Sequence, residues 1–282
     1  MKSITVNCNA KINLALDVTG KRSDGYHEVQ LIFCEIPLFD TLTVALTNNG
    51  EIHLECDDIT LPTDSGNIAY RAAEKFFAYT KSGFGADIRL EKRIPHGAGL
   101  GGGSSDAAGV LKCLNSLLEN PLTQDELIKI GATLGADVPF FIIGGCALGE
   151  GIGEKLTPLP SIDGVCYVLA KPKESISTAF VYQNLNLNNR PENLCIPAVV
   201  DGIVRGDKKM VFENCANILE SVTIKEVPVI NDIKACLSSS GASLSLMSGS
   251  GTSVFGIFED CDAASLAAES VRKYTDDVYL II

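Results

Sequence analysis

The chain opens on short stretches in which apolar and polar residues alternate. Ile4 to Val6 and Ala10 to Val18 read as strands, closed by the polar turn Lys21-Arg22-Ser23-Asp24-Gly25. Leu42, Val44 and Leu46 alternate with polar neighbours, as do Ile52, Leu54 and Cys56. With Asn49-Gly50 between the two runs, the pattern predicts a β-hairpin. The period then lengthens. Ile68, Ala72 and Phe76, with Ala69, Ala73 and Phe77, mark one side of a helix over about 67–79. Ile88, Leu90 and Ile94 face away from Asp87, Arg89 and Glu91, as in a half-exposed strand of an antiparallel sheet. Ala107, Val110, Leu111, Leu114, Leu117 and Leu118 predict a helix over about 104–119, ended by Pro121. Thr123 and Glu126 then make a capping box for another helix. Pro158 and Pro160 interrupt the pattern near 155–162, so the expected domains are 1–158 and 159–282. The second half reads as a strand over 165–170, a polar loop, and helices. A strand–loop–strand over 243–258, a helix over 263–273 and a last strand over 278–282 complete it. The asparagine-rich stretch 184–193 reads as a surface connection.

Composition narrows the class. With 282 residues, 46% of them hydrophobic, each half can bury its own core. No apolar run reaches membrane-spanning length, since Val138 to Leu148 is broken by Gly144-Gly145. The first residues lack the apolar stretch of a secretory signal, so a soluble cytoplasmic protein is expected. The ten cysteines are scattered and none forms a Cys-x-x-Cys pair; reduced, mostly buried thiols are expected. A net charge of −12 argues against nucleic acid as a partner, while leaving room for an anionic small molecule held by local cations and backbone N–H groups. Oligomeric state is not legible.

The most informative segment is Pro95-His96-Gly97-Ala98-Gly99-Leu100-Gly101-Gly102-Gly103-Ser104-Ser105, with five glycines just ahead of a helix. Glycine lets backbone N–H groups come close to a ligand, and a helix N-terminus adds free donors and partial positive charge, so phosphate is the expected guest. The loop is not a dinucleotide fingerprint, because the preceding strand is amphipathic and Asp125-Glu126 starts a helix. Nor is it a Walker A loop, because no lysine follows Gly103. A glycine turn without a ligand is the plain alternative.

Three segments in order resemble the motifs of the GHMP kinases, the superfamily of galactokinase, homoserine kinase and mevalonate kinase. They are Ala10-Lys11-Ile12-Asn13-Leu14, the glycine loop, and Met247-Ser248-Gly249-Ser250-Gly251-Thr252-Ser253-Val254-Phe255-Gly256. Within that superfamily, Arg22-x-Asp24-Gly25-Tyr26-His27-Glu28 and Gly135-Ala136-Asp137-Val138-Pro139-Phe140-Phe141 are similar to the branch acting in the non-mevalonate isoprenoid pathway. The resemblance implies an α+β, two-domain GHMP kinase fold with the active site in the interdomain cleft. It also implies an ATP- and Mg²⁺-dependent kinase whose small-molecule partner is the cytidyl diphosphate of methylerythritol, phosphorylated on its 2-hydroxyl.

The resemblance further implies roles. Asp137 would be the catalytic base and Lys11 its partner, where a capping aspartate and an ordinary surface lysine are the plain alternatives. Residues Pro95 to Ser105 would hold ATP. Asn13, Tyr26, His27, Thr178 and Tyr182 would bind substrate, with Tyr26 and Tyr182 sandwiching the cytosine, though without the resemblance Tyr182 reads better as core. Asn67 and Lys92 are candidates for adenine. Asp106, placed in the first turn of the phosphate helix, would turn away or hold Mg²⁺ through water; no protein ligand of the metal is assigned. The rivals are another GHMP kinase, for mevalonate, homoserine or a sugar, and a non-catalytic nucleotide sensor.

Overall fold

The computed structural model describes residues 2–282, which divide into two compact units whose segments interleave along the chain. Unit 1 holds residues 1–10, 38–96 and 101–144; unit 2 holds 11–37, 97–100 and 145–282. The interleaving follows from two long strands, β1 (Ser3–Lys21) and β2 (His27–Thr47), each of which passes from one unit into the other. Ile4 to Val6 and Ala10 to Val18 thus belong to one continuous strand rather than two. Polar Asn7 and Asn9 break the hydrophobic run without breaking the backbone ladder.

In unit 1 the next elements are β3 (Ile52–Cys56), α1 (Ile68–Thr80), β4 (Gly85–Glu91), α2 (Gly102–Leu117), α3 (Gln124–Ala132) and α4 (Val138–Ile143). The expected hairpin does not form. β4 lies between its two arms, antiparallel to β2 from Thr41↔Glu91 to Thr47↔Gly85 and parallel to β3 from Ile52↔Ala86 to Cys56↔Leu90. The turn residues at Asn49-Gly50 are genuine, with Gly50 left-handed at φ 74°, but turn chemistry alone does not decide which strands pair. Gly85 makes the insertion possible. A Cβ there would lie 2.1 Å from the Glu51 carbonyl oxygen and 2.6 Å from its nitrogen. Backbone cannot yield as a side-chain tip does, so Gly85→Ala is expected to destabilise the protein by about 3 kcal/mol, read as a fall in denaturant midpoint at unchanged slope.

Helices α1 and α2 pack on each other beside this sheet. Ala69, Ala72, Ala73, Phe76 and Phe77 form the buried side of α1, as the spacing predicts. Asn67 caps it, accepting from Ala69 N at 2.9 Å. Thr123 and Glu126 form the anticipated capping box at the start of α3. Nearly every side of α2 is buried, and Gly109 faces β1 and β2, where a Cβ would lie 2.6 Å from Cys8 Sγ and 2.7 Å from Leu42 Cδ2.

Unit 2 continues with β5 (Cys146–Gly151), β6 (Lys155–Leu159), β7 (Cys166–Ala170), α5 (Thr178–Gln183), α6 (Ile196–Arg205), α7 (Lys208–Glu213), α8 (Glu220–Glu226), α9 (Val229–Ser239), β8 (Leu244–Met247), β9 (Val254–Phe258), α10 (Cys261–Val271) and β10 (Val278–Ile281). β5 pairs with β2 from Val29↔Gly151 to Cys34↔Cys146, and β6 follows on its outer side. Pro158 lies inside β6, which an edge strand tolerates because one row of N–H groups needs no partner. A separate antiparallel sheet runs β10-β7-β9-β8, and its two central strands are buried at every residue. Helices α9 and α10 pack on it.

Two expectations are corrected here. Cys166 and Cys261 are paired as a disulfide, so the thiols are not all reduced. The asparagine-rich stretch is more than a surface connection. Arg190 donates from Nε to the buried Asp17 carboxylate at 2.9 Å and through a terminal nitrogen to Leu194 O at 2.7 Å. Among the described residues, no helix is long and apolar enough to cross a membrane.

Candidate active site

The glycine loop rises from the strand end at Ile94 and enters α2. Gly97, Gly99 and Gly101 are all left-handed, with φ of 63°, 74° and 72°, conformations that residues with a Cβ rarely adopt. Gly101 is the N-cap of α2, and the first intrahelical bond runs from Ser105 N to Gly101 O at 2.9 Å. The N–H groups of Gly102, Gly103 and Ser104 therefore lack partners within the helix, and no side chain caps them. Helices α4, α5, α6, α8 and α9 also lack a side-chain cap; what sets α2 apart is that left-handed glycines lead into its bare donors. The helix starts two residues before its expected position at Ser104.

Gly102 differs from these three left-handed glycines. Its φ is not positive, and a Cβ there would point inward, 3.0 Å from Ile94 Cγ2 and 3.4 Å from Asp40 Oδ2. Its absent side chain serves packing, while its N–H stays among the donors.

Within unit 2 the middle of the loop lies against two other motif segments. Lys11 N donates to Leu100 O at 2.9 Å, which fixes the loop to β1. Lys11 is buried, its Nζ donating to Asn13 Oδ1 at 2.6 Å and standing 5.5 Å from the Phe33 ring centroid. It is no ordinary surface lysine. The segment 247–253 closes on the same place. Ser248 Oγ donates to Gly99 O at 3.1 Å and accepts from Asn13 N at 3.4 Å. A Cβ on Gly249 would lie 3.2 Å from Asn13 Oδ1 and 3.8 Å from Lys11 Nζ. Lys11, Asn13, Gly99, Ser248 and Gly249 thus form one cluster.

Sequence reading missed what holds this second loop. Asn217 is buried and its side-chain amide donates to Met247 O at 2.8 Å and Gly249 O at 2.7 Å. Its neighbours Ala216 and Ile218 bond to the backbone of Leu16 on β1. An asparagine within the apolar run Cys215-Ala216-Asn217-Ile218-Leu219 was the available signal, since a buried amide needs partners.

Asp137 belongs to unit 1. It is half-buried at the N-cap position of α4, with helical φ and ψ of −84° and −14°, and its side chain makes no cap hydrogen bond. The turn that presents it lies beside the start of α2: a Cβ on Gly135 would be 3.7 Å from Ser104 Oγ. The Asp137 side chain thus does not cap α4, and the turn that carries it lies beside the start of α2.

The expected substrate residues fall in unit 2. Tyr182 is half-buried on α5 rather than in the core, and its ring packs on His27 with centroids 5.2 Å apart and planes tilted by 36°. Tyr26 is 61% exposed at the end of the polar turn. One turn before Tyr182, Thr178 Oγ1 shares a 2.7 Å hydrogen bond with Ser250 Oγ, which joins α5 to the second glycine loop. Burial, and secondly the charge of Lys21, lower the His27 pKa below its ordinary value. At neutral pH the imidazole is therefore uncharged and offers one donor and one acceptor.

The adenine candidates are both engaged. Asn67 caps α1 and donates to Pro62 O at 2.9 Å. Lys92 is held between the carboxylates of Asp40 and Asp106. Asp106 is in the second turn of α2, not the first, and turns into this pair. Among the described residues, no three or more His, Cys, Asp or Glu side chains gather as a metal site.

Two family models match the chain, the GHMP kinases N terminal domain over residues 67–145 and the GHMP kinases C terminal over 200–277. The 4-diphosphocytidyl-2-C-methyl-D-erythritol kinase of Acetivibrio thermocellus is 49% identical over 97% of this chain and 96% of the relative. That of Geobacter sulfurreducens is 46% identical over 96% of each. A crystal structure of 4-(cytidine 5'-diphospho)-2C-methyl-D-erythritol kinase superposes with a TM-score of 0.85 at 35% identity, covering 99% of this chain and 98% of that one. Homoserine kinase from Cytophaga hutchinsonii, at 20% identity and a TM-score of 0.78, shares the fold.

Proposed function

Because the chain belongs to the GHMP kinases, and within them to the 4-diphosphocytidyl-2-C-methyl-D-erythritol kinases, we propose that it moves the γ-phosphoryl of ATP to the 2-hydroxyl of 4-diphosphocytidyl-2-C-methyl-D-erythritol. The observation that carries this reading is the uncapped start of α2, reached through three left-handed glycines. The ATP phosphates lie on the N–H groups of Gly102, Gly103 and Ser104, beneath the span from Pro95 through His96, Gly97, Ala98, Gly99 and Leu100 to Gly101, with Ser105 closing the first turn. Asp137 accepts the hydroxyl proton as the phosphoryl group leaves ADP. Lys11, oriented by Asn13 and the Phe33 ring, supplies positive charge to the developing alkoxide. Catalysis here is positioning and electrostatics, with no covalent enzyme intermediate.

Magnesium suits this arrangement as a passenger on the nucleotide. The ion keeps several waters and needs only one or two protein oxygens beside the phosphates. Ser104 Oγ, at the helix start, is the hard donor in reach of them. When bound, the ion neutralises phosphate charge.

The cytidyl end stacks on Tyr26 and Tyr182, with His27 hydrogen-bonding the base edge and Thr178 fixing α5. Tyr182→Ala is expected to raise KM for the cytidyl substrate roughly 5- to 150-fold, one stacking contact being worth ~1–3 kcal/mol. KM for ATP stays within twofold and Tyr182→Phe keeps most activity. Steady-state kinetics with each substrate varied in turn reads both, and an unchanged cytidyl KM removes Tyr182 from the pocket. The reaction passes a phosphoryl group between two soluble metabolites, in keeping with a cytoplasmic enzyme.

The reading as a whole is tested by coupled ADP release with the cytidyl substrate beside mevalonate and homoserine. Turnover of the cytidyl substrate alone is expected. Comparable turnover of either other alcohol would move the chain to another branch, and no turnover of any would favour a nucleotide sensor.

A further inference from the structure

The two ends of the glycine loop are fastened to one buried charge cluster that the proposed chemistry does not use. Asp40, on the unit 1 part of β2, is fully buried. Its Oδ1 accepts from Arg93 N at 2.6 Å and Ile94 N at 2.8 Å, the last two residues before the loop. Its Oδ2 accepts from Lys92 Nζ. The same ammonium donates to Oδ2 of Asp106 in α2, the helix that leaves the loop. Entrance and exit are thus joined by a carboxylate–ammonium–carboxylate bridge. Ile94 adds an apolar contact across the same gap, because Gly102 has no side chain to hold it off.

Only one unit of positive charge stands between two carboxylates, all out of water. Burial pushes the Asp106 carboxyl up to about 7, against the pull of Lys92 and with the help of Asp40. Burial would lower the Lys92 pKa, but the two carboxylates raise it on balance. Asp106 Oδ1 is buried without a hydrogen-bond partner. A buried group of this kind is kept at a cost, because apolar residues would fill the space with no desolvation penalty. An ionised acid here would repel phosphate directly, and the Asp106 carboxyl is engaged with Lys92 instead.

We propose that Asp40, Lys92 and Asp106 are positioning residues that set the separation of the two ends of the glycine loop, and through it the affinity for ATP. The proposal rests on the reading that ATP phosphates occupy that loop. The bridge needs an oxygen acceptor at residue 106; it does not need the full negative charge there. The ammonium reaches one Asp106 oxygen only, and the other makes no bond.

This separates two substitutions of nearly equal size. Asp106→Asn retains an oxygen that can accept from Lys92, relieves the like charge beside Asp40, and is expected to keep the ATP dissociation constant within about threefold. Asp106→Leu removes the acceptor and is expected to weaken ATP about 10- to 100-fold, the loss of one charge-assisted hydrogen bond. KM for the cytidyl substrate should be the same in both. The measurements are ATP titration by calorimetry, steady-state kinetics and thermal melting without nucleotide. Should Asp106→Leu fail to fold, Asp106→Ser replaces it, its hydroxyl being too short to reach Lys92. Equal ATP affinity in Asp106→Asn and the acceptor-free variant would overturn the proposal, as would equal losses in both. Lower melting temperature with an unchanged ATP constant would likewise leave a purely structural cluster. Gly99→Ala, measured in parallel, tells the two readings apart. If it leaves ATP binding intact, the loop reading itself fails. If it weakens ATP while Asp106→Leu does not, only the bridge fails.

Discussion

Asp137→Asn will lose ~10²–10⁴ of kcat, the usual contribution of a positioned general base, while the ATP dissociation constant moves less than twofold. The two effects separate because the substitution keeps the shape of the side chain and leaves the N–H donors of α2 untouched. The position also favours a clean experiment. Asp137 makes no cap bond to α4, so the ~1 kcal/mol typical for removing a capping aspartate does not apply. Thermal melting of the variant, run beside the kinetics, separates a loss of chemistry from a loss of fold. Rapid-quench single turnover with calorimetry on ATP resolves both quantities. A variant with a third or more of wild-type kcat would take Asp137 out of the chemistry, and a large stability loss would restore it to a structural role.

Gly99→Ala should reduce kcat/KM by at least ~10²-fold, from a methyl group that touches neither substrate. Two costs act together. The left-handed φ of 74° is strained by roughly 1–2 kcal/mol once a Cβ is present. That Cβ would also lie 2.5 Å from the Ser248 carbonyl oxygen, which is backbone and cannot rotate aside. The loop must then part from the 247–253 segment, and the Ser248 bond to Gly99 O is broken. Displacement of about 1 Å at a reacting site is enough for a hundredfold loss. Gly97→Ala is the control, having a similar φ of 63° with no atom within 4 Å of the new methyl. It pays for strain alone and should lose far less. Equal losses in the two variants would mean that contact between the loops does not matter.

How far the chain could be read in advance depended on the range of each interaction. Helix α1, the capping box at Thr123 and the strands around the second glycine loop rest on neighbours within a few residues, and periodicity exposes them. The insertion of β4 between β2 and β3 rests on Gly85 meeting Glu51, a contact that no local pattern announces. At the site, motif order pointed to Lys11, Asn13 and the glycine loops, and the fold brings Lys11, Asn13, Gly99 and Ser248 together. Asn217 and Asp40 escaped for the opposite reason. Each is one polar residue far along the chain from the loop it holds, recognisable only once burial shows that its hydrogen bonds must go somewhere.

The interleaved strands carry a consequence for how the chain is made. Unit 1 has all its residues once position 144 has been synthesised, whereas unit 2 cannot begin to close until 145 onward joins residues 11–37. At about 5–20 residues per second, the roughly hundred residues between those pieces take on the order of 5–20 s to appear. Throughout that interval Val29 to Cys34, an apolar strand segment in the finished protein, waits on the ribosome without the β5 edge that will pair with it. Such segments are the ones that bind chaperones or aggregate. Pausing translation just after residue 144 should therefore lower soluble yield more than the same pause placed after β5 and β6 have emerged.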